Sequence, residues 1–520
     1  MTGIGWNPIA MKYRYYSFLL WLSLIYNLTF QTVQAQDTVR NGYYNSRLDS
    51  ITSGILNQKR MIQVFVPSWY KPGSADTYDV MYVLDGGNWN TGPISRIQQF
   101  LSDERYVPPM IIVSVLGIDR GKDLTPTPME NWRTSGGGDN FLRFIKEELI
   151  PHVNSNYPSN KDNTLWGHSL GGMFAIYMLL REPDLFKSYI AVDPSMWWDK
   201  NHVIKLAADR LGTLAGHPVT LFISGRNEEG RRSMMIDSLD AVLRKHAPTD
   251  LSWKIVSYPD ESHSSIRFKT TYDGLRYTYE GLTSGIVFHP QNGLVLRDKP
   301  IKLWYVADTT NARYTVDGSI PLLATSARAE QEITLTSGGK VTYKRFSRRS
   351  RYDQTATGIF TVAETLRPTT KQKNLKPGGF AYRYYEGEWD AWPDFKKLKP
   401  VSEGITNRDF NPDAFPRKKN YALTVDGFFE SKQVGYYIFV LEGDNGTRFY
   451  LGDRLLMEWT GSYTYRNNSY IVPLAKGFYP FRVEYVRKNP DFTLRMSYIT
   501  PDGLSNPNPV PIPEAVQYRR

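Results

Sequence analysis

The chain has 520 residues, 22% of them charged and 41% hydrophobic, with a formal charge of +11 and no cysteine. Length and composition favour three buried cores and exclude global disorder. The lack of cysteine excludes disulfides, thiolate metal sites, cysteine nucleophiles and the lipid-anchor cysteine of a bacterial lipoprotein.

In chain order, residues 1–35 read as a cleavable secretory signal. Lys12 and Arg14 form a short basic region, residues 18–30 are apolar, and Val33-Gln34-Ala35 has the small-x-small form of a cleavage site, with Met11 a plausible start. Removing this segment lowers the charge to +9. The apolar stretch is short for a membrane span and no later one reaches the length. The expected location is secreted or periplasmic. An exported chain without a nucleic-acid module is not expected to bind nucleic acid.

Residues 36–283 alternate strand-like runs with helical ones. MIQVFVPSWY, YDVMYVLDGG, PPMIIVSVLGI, NTLWGHS, KSYIAVDPS, PVTLFISG and LSWKIVSYP read as strands. FLRFIKEELIPHV, MFAIYMLL, MIDSLDAVLRKHA and IRFKTTYDGLRYTYEGL read as helices. Continuous apolar strands interleaved with helices predict a mostly parallel sheet covered on both faces. In such a sheet, ligands bind at the carboxyl ends of the strands.

After residue 284 the helical period disappears. Residues 284–365 predict a small β-sandwich, 366–378 a polar linker, and 379–520 a second, aromatic-rich β-sandwich. The basic run at 344–351, KRFSRRSR, reads as a solvated strand edge.

Chemistry concentrates at GHSLGG, residues 167–172. Chance supplies a Gly-x-Ser-x-Gly on the order of 0.2 times per chain of this composition, so context must carry the assignment. Here a strand precedes and a helix follows, the setting in which a sharp turn exposes a serine hydroxyl. Ser169 is therefore the candidate nucleophile. It needs a base, and the base needs an acid to hold its ring. Among the later histidines, His217 precedes a strand, His246 ends a charged helix and His289 falls in the β region. His263 follows a strand's carboxyl end and is the candidate base. For the acid we choose Glu228 in Arg226-Asn227-Glu228-Glu229, with Glu229 a close competitor and Asp193, at another strand end, a third candidate. The expected oxyanion donors are the N–H groups of Leu170 and of Gly87 in Leu84-Asp85-Gly86-Gly87. Trp89, Trp197 and Trp198 are candidate pocket walls.

Residues 40–283 resemble the esterase D-type branch of the α/β-hydrolases, which includes siderophore, feruloyl and acetylxylan esterases. The matching pieces are YVLDGGNW, GIDRGKDLTPTP, GGGDNFLRFIKEELIPHV, WGHSLGGMFAIYMLL, DPSMWWD, ISGRNEEG and PDESHSS, in the family's order. The resemblance implies Ser169 as nucleophile, His263 as base, a glutamate of NEEG as acid, and Leu170 with Gly87 as oxyanion donors. Asp193 departs from it, since relatives often carry a small serine there. ARYTVDGSIP, from Ala312, resembles the small sandwich at the C-terminus of chitobiases. GYYIFVL, GDNGTRFYLGD and GFYPFRVEYV resemble the protective-antigen-type sandwich, which implies carbohydrate binding. Calcium-dependent members of that family use adjacent aspartates; Asp444 is followed here by Asn445, so any calcium site would be weakened.

These readings converge on a multidomain secreted serine esterase that requires no cofactor and no catalytic metal. Its expected substrates are acetyl or feruloyl esters on polysaccharide, with a glycan bound by the C-terminal module. The alternatives are a ferric-siderophore esterase and, in another class, a glycan-binding adhesin with an inactive hydrolase domain.

Overall fold

The computed structural model describes residues 39–40, 43–87, 89–282, 285–306, 309–370, 374–406, 415–443, 446–459, 466–488 and 494–520. The expected signal segment, Asp444 and Asn445 lie outside these residues. The chain forms two compact units, one ending at Leu282 and the other spanning Thr283–Arg520.

The first unit holds β1 (Val39–Arg40), β2 (Tyr44–Ser53), β3 (Gln58–Pro67), β4 (Tyr78–Val83), β5 (Met110–Val115), β6 (Ser159–His168), β7 (Ser188–Val192), β8 (Val219–Gly225) and β9 (Leu251–Ser257). Its α-helices are α1 (Thr91–Asp103), α2 (Arg120–Asp123), α3 (Gly138–Arg143), α4 (Ile150–Asn156), α5 (Leu170–Arg181), α6 (Trp198–Arg210), α7 (Glu228–Ser233), α8 (Ile236–His246) and α9 (Ile266–Thr278). The sheet order is β1-β2-β3-β5-β4-β6-β7-β8-β9. Pairing is antiparallel from β1 through β3 to β5 and parallel from β5 to β9. Every residue of β4, β5, β7 and β8 is buried, as strands covered on both faces require. This is the α/β-hydrolase-like sheet expected. Two of the longer helices, α1 and α6, were not expected, nor were the short α2 and α7. α1 opens with Gly92 and Pro93, which mask its buried Ile94, Ile97 and Leu101; α6 buries only Trp198, Val203, Ile204 and Ala207.

The second unit corrects the expected division at residues 365–379. Strands Ala327–Arg328, Ala312–Thr315, Gly339–Arg345, Gln354–Val362 and Asn292–Val295 continue directly into Arg466–Leu474, Gly435–Gly443, Arg495–Ile499 and Val510–Pro511. The two expected sandwiches thus share one nine-stranded sheet. The join is Asn292–Val295, which pairs in parallel with Gln354–Val362 on one side and Arg466–Leu474 on the other. A Cβ at Gly293 would lie 2.2 Å from Ile471 Cγ2, so glycine permits this close approach.

Packing explains the fusion. Along Gly435–Gly443, Tyr437, Phe439 and Leu441 enter the core of the second sandwich. The alternate residues Tyr436, Ile438 and Val440 enter a core with Phe288, Leu303 and Tyr343 of the first. One strand therefore feeds two cores through its two faces. The expected linker also packs down: Leu366 N–H donates to Pro473 O at 2.9 Å, and Thr369 N–H to Phe478 O at 2.9 Å. The basic run is not a solvated edge. Gly339–Arg345 pairs on both sides, Arg345 and Arg349 are buried, and Lys344 meets Asp353 at 3.1 Å.

Candidate active site

Ser169 directly follows β6 with φ 60° and ψ −116°, a backbone region that L-residues rarely occupy. Its N–H donates to Val192 O at 2.9 Å, which ties the turn to the end of β7. A Cβ at Gly167 would lie 2.1 Å from Gly171 O, so glycine alone lets strand and helix approach this closely. The turn leaves Ser169 half-buried between buried His168 and Leu170. Leu170 is the first residue of α5, and an N–H there has no intrahelical acceptor. It is free to meet developing negative charge at a helix N-terminus.

His263 lies in the connection from β9 to α9. Its Nδ1 is 2.7 Å from Asp193 Oδ2. Asp193 directly follows β7, has φ 41° and is fully buried. With the Nδ1 proton donated to this carboxylate, Nε2 is left as the basic nitrogen. Arg226 Nε donates to the same Oδ2 at 2.7 Å, so one oxygen serves both a ring and a guanidinium.

Glu228 and Glu229, the acids expected first, are exposed in the opening turn of α7. There the Asn227 side chain accepts the Gly230 N–H at 2.9 Å, and the two carboxylates sit where the helix dipole favours negative charge. The carboxylate that meets His263 comes from one strand earlier, and the β8 connection supplies Arg226 instead of an acid.

Ser169 Oγ shares a hydrogen bond with Ser195 Oγ at 3.1 Å, while among the described residues no hydrogen bond joins it to His263. Catalytic hydrogen bonds are often loose before substrate binds. His168, the x of the motif, donates from Nε2 to His263 O at 2.7 Å, with the two rings 4.4 Å apart. Burial, followed by positive charge at His263, pushes its pKa from 6.5 down to about 3, so the ring is a neutral strut under the base.

The other expected oxyanion donor is engaged elsewhere. Gly87 N–H donates to Thr91 Oγ1 at 3.1 Å, and Gly87 O accepts the Thr91 N–H at 2.9 Å, closing the first turn of α1. Trp198 is fully buried and donates from Nε1 to Thr127 O at 3.1 Å, which makes it core and not a pocket wall. Trp197 is half-buried against the same core, whereas Trp89 is 84% exposed and lines a cavity. The other histidines are occupied or distant: His217 pairs with Asp184, His246 ends α8, and His289 bonds Ser469 in the second unit.

Two guanidiniums approach the strand ends. Arg120 Nη2 donates to His168 O at 3.2 Å, and Nη1 pairs with Asp85 Oδ2 at 3.0 Å. Burial raises the pKa of Asp85 and Arg120 opposes that rise. Arg267 Nε donates to Ser264 O at 2.7 Å and its Nη1 to Asn90 Oδ1 at 2.5 Å. Burial, and then the charge of Arg120, lowers the pKa of Arg267. No cluster able to hold a metal exists among the described residues.

Sequence reasoning did not find His168, Ser195, Arg120 or Arg226. His168 lay inside the motif itself, and Ser195 two residues beyond a flagged strand end. The two arginines carried no signal of their own.

Comparison with known proteins agrees with this architecture. The family model described as "Putative esterase" matches residues 53–249, and the PA14 domain model matches residues 407–510. The ferri-bacillibactin esterase BesA of Bacillus subtilis is 31% identical over 207 residues, which cover 35% of this chain and 71% of that protein. The siderophore enterobactin esterase of Emericella nidulans is 32% identical over 133 residues, covering 24% of this chain and 39% of that protein. An IroE-like serine hydrolase structure from Shewanella oneidensis matches with a TM-score of 0.42 and 29% identity, covering 45% of this chain and 79% of its own. Among the described residues, no helix is long and apolar enough to cross a membrane. The chain belongs to the esterase family, with an α/β-hydrolase unit that hydrolyses carboxylic esters and a β-rich unit that carries a PA14 domain.

Proposed function

We propose that the first unit is a serine esterase in which Ser169 attacks the ester carbonyl, His263 Nε2 takes the hydroxyl proton, and Asp193 orients the ring. The observation that carries this reading is the 2.7 Å contact between His263 Nδ1 and fully buried Asp193, one strand end from the strained Ser169 turn. The Leu170 N–H holds the oxyanion. Gly87 supplies a second donor only by giving up Thr91 Oγ1. His263 returns its proton to the leaving alkoxide, and water then releases the acyl-enzyme by the same route in reverse.

The substrate we favour is an anionic ester of the siderophore class. The names of the relatives support this choice, and so do Arg120 and Arg267, two cations flanking the strand ends. Polysaccharide acetyl or feruloyl esters, the first expectation, have no such support. The PA14 domain supports a glycan-binding role for the second unit, with calcium at Asp444 and Asn445 a subsidiary proposal.

Purified protein should be assayed on ferric siderophore esters, feruloyl oligosaccharides and acetylated xylan, with Ser169→Ala as control. Faster turnover of the siderophore ester is the expected result; preference for the sugar esters overturns the substrate assignment. A glycan array, with and without chelator, tests the second unit. Failure of a fluorophosphonate to label Ser169, with glycan binding retained, would favour the adhesin.

A further inference from the structure

The segment after β7 presses a second hydroxyl against the nucleophile. Ser195 is 1% exposed, and its Oγ lies 3.1 Å from Ser169 Oγ. Its main chain fixes that distance from both sides. Ser195 N–H donates to Ser169 O at 3.1 Å, and Ser195 O accepts the N–H of fully buried Trp198 at 3.3 Å. The motif makes the room. A Cβ at Gly172 would lie 3.2 Å from Pro194 Cβ, so the last glycine of GHSLGG lets this segment close on the Ser169 turn.

The direction of the hydrogen bond follows from what each hydroxyl can reach. Among the described residues, Ser195 Oγ has no other hydrogen-bond partner. A buried O–H that donates to nothing is costly. Half-buried Ser169 has a choice, since water or His263 can take its proton. Both groups are satisfied only when Ser195 donates to Ser169 Oγ, which leaves the Ser169 proton for the base.

We propose that Ser195 is a further catalytic residue, a fixed hydrogen-bond donor to the attacking oxygen. The inference rests on the esterase reading. In acylation the bond from Oγ to the carbonyl carbon forms, the Ser169 proton passes to His263 Nε2, and the carbonyl π pair moves onto its oxygen. Ser195 keeps its own proton throughout. Oγ carries partial negative charge while its proton leaves, and again when the acyl-enzyme expels it. A hydrogen bond to a charged oxygen is roughly twice as strong as one to a neutral oxygen, so the Ser195 bond tightens in the transition state. The Leu170 N–H serves the carbonyl oxygen, and Ser195 serves the other oxygen of the same reaction.

Full-length Ser195→Ala and Ser195→Cys proteins test it. The readouts are kcat/KM for p-nitrophenyl acetate and the rate of fluorophosphonate labelling, which reports on Ser169 without turnover. Ser195→Ala should lower both about tenfold, less than the loss of an oxyanion donor, because the charge on Oγ is partial. Ser195→Cys fills the site with a weak donor and should be nearly as slow, which separates hydrogen bonding from packing. The pH midpoint of labelling reads His263 and should not move, because no hydrogen bond joins Ser195 to that ring among the described residues. Unchanged or faster labelling in Ser195→Ala, or full speed in Ser195→Cys, overturns the donor role. A shifted midpoint also overturns it, by showing that the slower rate comes from a displaced base. Each of these results leaves the esterase reading standing as long as Ser169→Ala has abolished hydrolysis. Retained hydrolysis in Ser169→Ala overturns that reading instead.

Discussion

The two units handle difficult backbone in different ways. In the first, Asp85, Ser169 and Asp193 adopt positive φ at the carboxyl ends of β4, β6 and β7, three neighbouring strands. In the second, positive φ falls on glycines such as Gly318, Gly435, Gly452 and Gly477, or on the asparagines Asn374 and Asn420. The second unit thus turns its chain with residues that tolerate the conformation. The first holds a hydroxyl and two carboxylates there, at a cost of about 1–3 kcal/mol each, and all three sit at one edge of the sheet. Positive φ also falls on Asn57, Arg105, Lys161, Asp199, Lys200, Asn201 and Met235 elsewhere in the first unit, but at these three strand ends it falls on reactive side chains, which distinguishes the catalytic edge from a scaffold.

The sharpest way to break this comparison is at Ser169. Ser169→Ala should cut p-nitrophenyl acetate hydrolysis by about 10⁶-fold with an unchanged circular dichroism spectrum. Ser169→Gly should be equally inactive yet melt higher than the alanine variant, because glycine relieves about 1 kcal/mol of strain. At the acid, Asp193→Asn should lower kcat by about 10⁴-fold, while Glu228→Gln stays within about twofold. The reverse pattern would restore the glutamate.

The scaffold half of the comparison is tested at Gly293. A Gly293→Val side chain would collide with Ile471 and should cost the second unit about 3 kcal/mol, read as an earlier calorimetric transition, with hydrolysis unchanged. Arg226→Gln should reduce kcat/KM by about tenfold. The smallest effect concerns His168. Its folded pKa of about 3 lies below the ordinary 6.5, so the unfolded chain binds the extra proton. Its stabilising contribution is complete above pH 6.5 and is lost as pH falls toward 3. His168→Gln should flatten the dependence of melting temperature on pH within that window.

Much of the first unit was legible because local rules agreed. GHSLGG carries its glycines where a Cβ would strike backbone, and the flanking apolar runs match β6 and α5. The position of His263 could be read from strand order. The acid could not, because NEEG and Asp193 both follow strands, and only the assembled sheet shows which carboxylate meets the ring. The fusion of the β modules did leave a trace. GYYIFVLEG is apolar without alternation, the mark of a strand buried on both faces, which an isolated sandwich does not need. Helix α1 was hidden because Gly92 and Pro93 suggest a turn, although the spacing of Ile94, Ile97 and Leu101 was already helical.

The shared nine-stranded sheet has a consequence for how this protein can change over generations. A recombination break near residue 365 would strip Asn292–Val295 of one of its two partner strands and leave Ile438, Val440 and Ile471 facing water. The sequence motifs suggest two exchangeable cassettes, but the sheet binds them into one inherited block. Rearrangements that carry off the PA14 domain intact must bring the smaller sandwich along with it.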